Sequence, residues 1–239
     1  MTVETPFGNV EAAVGQLAGR ELVFLNRHGP DHVLPPHLVN YRANIWALRE
    51  FGVRKIIATA AVGSLAKRFR LGDLVFPDQF LDFTKSRLQT FYEGGSQGVL
   101  HVDMTEPYCG DVRRVMTAAA QQLGITVQDG ACYVCTEGPR FETPAEIRMF
   151  QQLGGELVGM TSVPEVVLAR ELGMCYAAIG MVTNEAAGIS GQPITHAEVV
   201  ESMKTLSGKA AQLIYECIKI WTPGQNCRCA SAYEEAGKF

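Results

Sequence analysis

Short apolar runs rich in β-branched residues alternate with longer stretches of helical periodicity along most of the chain, and this limits the folds open to it. The runs ELVFLNR, RKIIATAAV, GDLVFPDQF, ACYVCTE, GELVGM and MCYAAIGMVTN read as strands, several of them bounded by glycine. Some are apolar almost without a break, as strands covered on both faces are. Helical spacing occupies about Leu38 to Glu50, Asp111 to Leu123, Pro144 to Leu153, Val163 to Leu172 and Thr195 to Ile220. Strands interleaved with helices predict an α/β fold around one central sheet, mostly parallel or mixed, flanked by helices. No linker, repeat or low-complexity block breaks the pattern, so one domain is expected.

Composition narrows the function classes. The chain has 239 residues, 47% hydrophobic and 19% charged, which is ample for a substantial core. A net charge of −4 with no basic run argues against nucleic acid as a partner. No apolar run reaches the ~18 residues of a membrane span, and the first residues carry no signal-peptide core. A cytoplasmic address is the expectation. Of the seven cysteines, five sit in apolar or mixed segments, where a thiol acts as a small core residue. Cys132 and Cys135 form a CxxC on a strand, which sends the two side chains to opposite faces. His28, His32 and His37 match no firm ligand spacing. No metal is expected from either group.

In such a sheet, ligands bind outside the carboxyl ends of the strands. The segments to read are therefore NRHGPDH, TAAVGSLA, TEGPRFET, GMTSVPE and TNEAAGIS. Arg27, next to His28, offers a rigid and permanently charged fork suited to phosphate or carboxylate. Ser162 to Glu165 reads as a capping box, which sets Thr161 just before a helix N-terminus, a natural anion site. The small residues around Ala61 leave backbone N–H groups open to an oxyanion. No GxGxxG, Walker-type or nucleophile-elbow motif is present.

In GPRFETPAE, Thr143, Pro144 and Glu146 supply a helix cap and capping box, so Glu142 is not needed for the cap. Glu142 is either a solvated turn carboxylate or one aimed into a pocket. With Asn184 at another strand end, it would suit a flat heterocycle presenting ring N–H, carbonyl and ring nitrogen along one edge.

Taken together, RHG, VNYRANIWAL, GSL…GD, EGPRFET, GMTSVPEVVLA and CYA resemble the trimeric purine nucleoside phosphorylase and 5′-methylthioadenosine phosphorylase family. The resemblance runs from TPFG at Thr5 to about Ile220. It implies a nucleoside phosphorylase domain over residues 1–220 and a C-terminal tail over 221–239. It also implies a nucleoside and phosphate as substrates, with no metal or organic cofactor. Arg27, His28, Thr161 and the Ala61 backbone match phosphate contacts, with Met160 under the ribose and Phe141 on the purine. Glu142 and Asn184 match the base readers of 6-oxopurine enzymes, although the surrounding framework is nearer the methylthioadenosine branch. His196 matches a contact to the 5′-hydroxyl, and His101 a residue reaching a neighbouring subunit's ribose. A homotrimer or dimer of trimers follows from the same resemblance.

The leading expectation is phosphorolysis of inosine and guanosine. The alternatives are 5′-methylthioinosine, 5′-methylthioadenosine, or a non-catalytic nucleoside-binding subunit. That last alternative arises because family members place a strand and glycine-rich phosphate loop ahead of the segment matching TPFG. Cys227 and Cys229 resemble a CxC tail whose cysteines oxidise in some thermophile members; otherwise an unpacked tail is expected.

Overall fold

The computed structural model describes residues 1–193, 195–222, 227–232 and 237–238. Chain order begins with β1 (Thr2–Thr5), β2 (Gly8–Leu17) and β3 (Arg20–Leu25), followed by α1 (Tyr41–Glu50), β4 (Lys55–Ser64), β5 (Leu74–Phe76) and β6 (Gln79–Phe83). Next come β7 (Leu100–His101), α2 (Gly110–Leu123), β8 (Val127–Asp129), β9 (Cys132–Thr136) and α3 (Pro144–Gln152). The remainder is β10 (Leu157–Gly159), α4 (Ser162–Glu171), β11 (Cys175–Glu185), α5 (His196–Ile220) and β12 (Gly237–Lys238).

The central sheet is mixed, with strand order β6-β9-β10-β4-β11-β5-β8. Its spine is β11 lying parallel to β4. The unbroken apolar run of β11 is explained by two cores, one on each face. Tyr176, Ala178 and Val182 join Tyr41, Leu48, Tyr133 and Val166 on one side. Cys175, Ala177, Ile179 and Met181 join Leu74, Met116 and Leu213 on the other. Alternation of a β-strand's side chains delivers these two sets to α1 and α4 on one face and to α2 and α5 on the other.

Local signals hold well at most helix ends. Asn40 caps α1 by accepting from the Ala43 N–H, and Thr143 with Glu146 forms the capping box of α3. The start of α4 differs from the sequence expectation. Its N-cap is Thr161 with no side-chain cap bond, and Val163 is extended at φ −108°, ψ 128°. A residue before proline avoids the helical region, so Val163 cannot support the box predicted from Ser162. Glu165 is free for another task. The run GDLVFPDQF also divides, because Pro77 has no N–H for the ladder. Its halves part company: β5 pairs with β11 and β8, while β6 runs at the far edge beside β9. ELVFLNR does form a strand, β3, but it pairs with β2 in a separate antiparallel β1-β2-β3 meander and not in the central sheet as expected; β1 and β2 themselves were not anticipated. Among the described residues, no helix is long and apolar enough to cross a membrane.

Candidate active site

The direction of the strands locates the site. β9 and β10 run parallel, but β10 runs antiparallel to β4, with Leu157 opposite Ser64 and Val158 opposite Gly63. The carboxyl ends of β9 and β10 therefore point opposite to those of β4 and β11. This corrects the picture of one shared edge. Because β10 is only three residues long and pairs with the last two residues of β4, its end stops near the carboxyl end of β4. The segment after it, Met160 and Thr161, thus meets Thr59 to Gly63 over the body of the sheet.

A cleft of about 1200 Å³ opens there. The residues read as an anion set, Arg27, His28, Ala61 and Thr161, all line it. So do Phe141, Glu142, Met160 and Asn184, which were read as nucleoside contacts. One predicted residue is not brought in. His101 is exposed on β7 and pairs with Gly237 of β12, and it does not line the cleft. His196 is the first residue of α5, and its side chain lies outside the described residues.

Arg27 is rigidly held. Its Nε and Nη2 donate to Glu165 at 2.5 and 2.9 Å, and Nη1 donates to the Thr59 carbonyl at 3.2 Å. Tyr176 Oη donates to the same carboxylate at 2.8 Å. Burial works against the guanidinium charge, but Glu165 more than offsets it and keeps Arg27 protonated. His28 Nδ1 lies 2.7 Å from the Leu34 carbonyl; a carbonyl only accepts, so Nδ1 carries the proton. That leaves Nε2 for a ligand. Burial lowers the pKa of His28, against the pull of the Leu34 carbonyl, so the ring is neutral near pH 7.

Glu142 is buried at 8% exposure, which rules out the solvated-turn reading. Its Oε1 accepts from Thr136 Oγ1 at 2.6 Å. Desolvation raises its pKa, and the Thr136 bond opposes the rise. The nearby Arg140 does not pair with it, because both of its terminal nitrogens are committed to Glu146. Asn184 Oδ1 accepts from Thr183 Oγ1 at 2.8 Å, and Nδ2 donates to the Glu185 carbonyl at 2.9 Å. One amide N–H and one carbonyl lone pair remain for a ligand.

Three glycines make room for this set. A Cβ on Gly63 would fall 3.2 Å from Asn184 Nδ2, and one on Gly159 only 2.1 Å from the Tyr133 hydroxyl, which accepts from the Thr161 N–H. Gly138, at φ +66°, would place a Cβ 2.5 Å from Met160 Sδ. Sequence reading missed Glu165, Thr136 and Tyr176, whose partners lie on other elements. It also missed the wall that α5 contributes with Val199, Val200 and Met203.

The site can therefore hold an anion at one end, between a fixed guanidinium and an imidazole. At the other end it can read the edge of a planar ring with a carboxylate and an amide. The model of the phosphorylase superfamily matches residues 1–219. The chain belongs to the phosphorylase superfamily. It is 55% identical over 237 residues to the probable 6-oxopurine nucleoside phosphorylase of Moorella thermoacetica, covering 99% of this chain and 90% of that protein. It is 51% identical to the probable S-methyl-5′-thioinosine phosphorylase of Methanopyrus kandleri, covering 98% and 91%. Among solved structures, a double mutant of the adenosine/methylthioadenosine phosphorylase of Schistosoma mansoni in complex with adenine superposes with a TM-score of 0.92. That pair is 33% identical over 98% of this chain and 90% of the other. As a phosphorylase superfamily member, the protein carries the nucleoside phosphorylase fold as a single α/β domain with a seven-stranded mixed sheet.

Proposed function

We propose that the protein is a purine nucleoside phosphorylase that cleaves 6-oxopurine nucleosides such as inosine and guanosine with phosphate, releasing free base and ribose 1-phosphate. The observation that carries this reading is the buried Glu142 carboxylate in the cleft, with its pKa raised by burial and no ion pair among the described residues. A 6-oxopurine presents an N1–H donor that such a carboxylate accepts. A 6-aminopurine presents an unprotonated N1, so acceptor would face acceptor.

The remaining groups fit a role each. Arg27, His28, Thr161 and the Ala61 backbone hold phosphate and direct an oxygen at C1′ while the glycosidic bond lengthens. Asn184 donates to the purine as charge develops on it, and Glu142 holds N1–H. Phe141, 38% exposed at the cleft, packs on the base, and Met160 lies beneath the sugar. Preorganised groups facing developing charge account for the rate gain. Phosphate is a co-substrate, and these steps draw on no metal or organic cofactor.

A second reading, cleavage of 5′-methylthioinosine, draws support from the named Methanopyrus relative and from the apolar Val199, Val200 and Met203 in one wall. That substrate has the same base with an apolar 5′ group. A role in purine salvage in the cytoplasm follows from either substrate. We extend the proposal to a homotrimer or dimer of trimers, in which His101 serves a neighbouring site and His196 meets the 5′ end. Light scattering combined with activity on dilution tests the assembly, and a fully active monomer would refute it. The deciding experiment measures phosphate-dependent release of free base from inosine, guanosine, methylthioinosine and methylthioadenosine. A preference for methylthioadenosine would sink the base assignment, and binding without release would make the protein a nucleoside-binding subunit.

A further inference from the structure

Away from the cleft, four cysteines from three separate segments meet. Cys109 is the N-cap residue of α2, Cys175 opens β11, and Cys227 and Cys229 follow α5. Their Sγ atoms all lie within 4.8 Å of one another, with Cys175 and Cys227 3.2 Å apart. Cys109, Cys175 and Cys229 are buried, and Cys227 is half-buried.

The segment that brings the CxC pair is closely fitted. Arg20 donates to the carbonyls of Ile218 and Trp221 at the end of α5. The Ala232 N–H donates to the Arg228 carbonyl at 3.1 Å, closing a turn around Cys229. Gly173, at φ +65°, sits under this turn, where a Cβ would fall 3.3 Å from the Ala230 carbonyl and 3.6 Å from that of Cys229. This packing differs from the unpacked tail expected of residues 227–232.

We propose that Cys109, Cys175, Cys227 and Cys229 form a structural site for one divalent cation of the zinc type. Thiolate–zinc bonds of about 2.3 Å set a tetrahedron with sulfur–sulfur edges of about 3.8 Å. The Cys175–Cys227 separation of 3.2 Å and the 4.8 Å ceiling on all the others are compatible with that edge. All four thiols converge, and Cys175 approaches Cys227 across segments. A ligand set made only of thiolates selects a soft or borderline ion over magnesium or calcium. Among the described residues, no other group of three or more metal-ligating side chains gathers in this way.

Binding forms four metal–sulfur bonds and releases four thiol protons, with no electron transfer. The charge left over is partly offset by Arg170, a buried cation whose Nη2 donates to the carbonyls of Glu106 and Pro107, just before Cys109. Four protein ligands leave no open coordination position, so the site is structural. It cross-links the segment after α5 to α2 and β11. This inference does not depend on the reading of the cleft.

Two measurements test it. Elemental analysis of the protein as expressed should find one zinc per chain. Reduced, metal-free protein titrated with Co²⁺ should take up one equivalent and show the sulfur-to-cobalt charge-transfer and tetrahedral d–d bands of a tetrathiolate. Zn²⁺ should displace the cobalt and raise the melting temperature. In Cys227→Ser, cobalt affinity should fall by more than the roughly 10–100-fold that loss of an outer partner costs, while Cys132→Ser leaves it unchanged. The proposal is overturned by absence of zinc together with absence of cobalt bands. Identical bands in Cys227→Ser also overturn it. So do disulfides among the four cysteines in protein that takes up no cobalt after reduction.

Discussion

Glu165 receives two parallel hydrogen bonds from Arg27, although the two residues are 138 positions apart in the chain. The carboxylate holds the guanidinium in place and balances its charge. Glu165→Gln removes the charge and one of the two acceptors, leaving a largely buried cation unpaired. Loss of one partner of such a pair costs about 3 kcal/mol or more. Urea denaturation should register that loss, and the phosphate KM should rise at least ~10-fold, since each 1.4 kcal/mol is a factor of ten. An unchanged phosphate KM would detach Arg27 from phosphate binding.

The pH behaviour of Glu142 has a defined sign. Burial raises its folded pKa above the unfolded value, against the Thr136 hydrogen bond. Its contribution to stability is therefore fully present below the ordinary carboxylate range and is lost as pH rises through the raised folded pKa. Glu142→Gln should gain on wild type in urea melts as pH climbs through that window. Accepting N1–H requires the carboxylate, so kcat/KM for inosine should show an acid limb above the ordinary carboxylate range. In Glu142→Gln that limb should disappear.

Base choice gives a separate test at the same residue. An unsatisfied buried group costs ~1–3 kcal/mol, so wild type should favour inosine over adenosine by at least ~10-fold in kcat/KM. Glu142→Ala should lower inosine turnover strongly and leave adenosine nearly unchanged. Equal losses for both nucleosides would mean that the carboxylate does not read the base.

Gly138 and Gly52 separate positioning from backbone strain. Both have positive φ, at +66° and +74°, but only at Gly138 does a Cβ meet a neighbour within 4 Å, Met160 Sδ at 2.5 Å. Alanine at either position should cost about 1–2 kcal/mol of stability through the left-handed backbone. Only Gly138→Ala should also lower kcat/KM, by about 10-fold, by displacing Met160. The comparison is read from urea melts and nucleoside kinetics of the two variants.

Arg87 ties the two strand ends that deliver the site. It donates to the carbonyls of Thr136 and Glu137 after β9, and to those of Met160 and Val163 after β10. Arg87→Met would leave these acceptors without their donor, at a cost of about 3 kcal/mol or more. Hydrogen exchange should show lost protection around residues 136–142 and 157–163, with distant α2 little changed. Uniform loss across the fold would point to global destabilisation instead.

Local information was enough for most of the elements. The apolar run of β11, the Thr143 capping box and the spacing of α2 each carry their signal within a few residues, because propensity, capping and side-chain alternation act over one or two turns. A resemblance of short motifs was enough to name eight residues that line the cleft, though not the wall from α5. The tertiary structure alone decided what those residues do to one another. The burial of Glu142 depends on Thr136, and the charge of Arg27 on Glu165. The antiparallel setting of β10 against β4 brings the segment after β10 back over the carboxyl end of β4. Cys227 reaches Cys175 only because α5 returns the chain to β11. Hydrogen bonding, desolvation and thiol convergence depend on distance in space, and a linear sequence carries no record of which distant segments the packed sheet brings together.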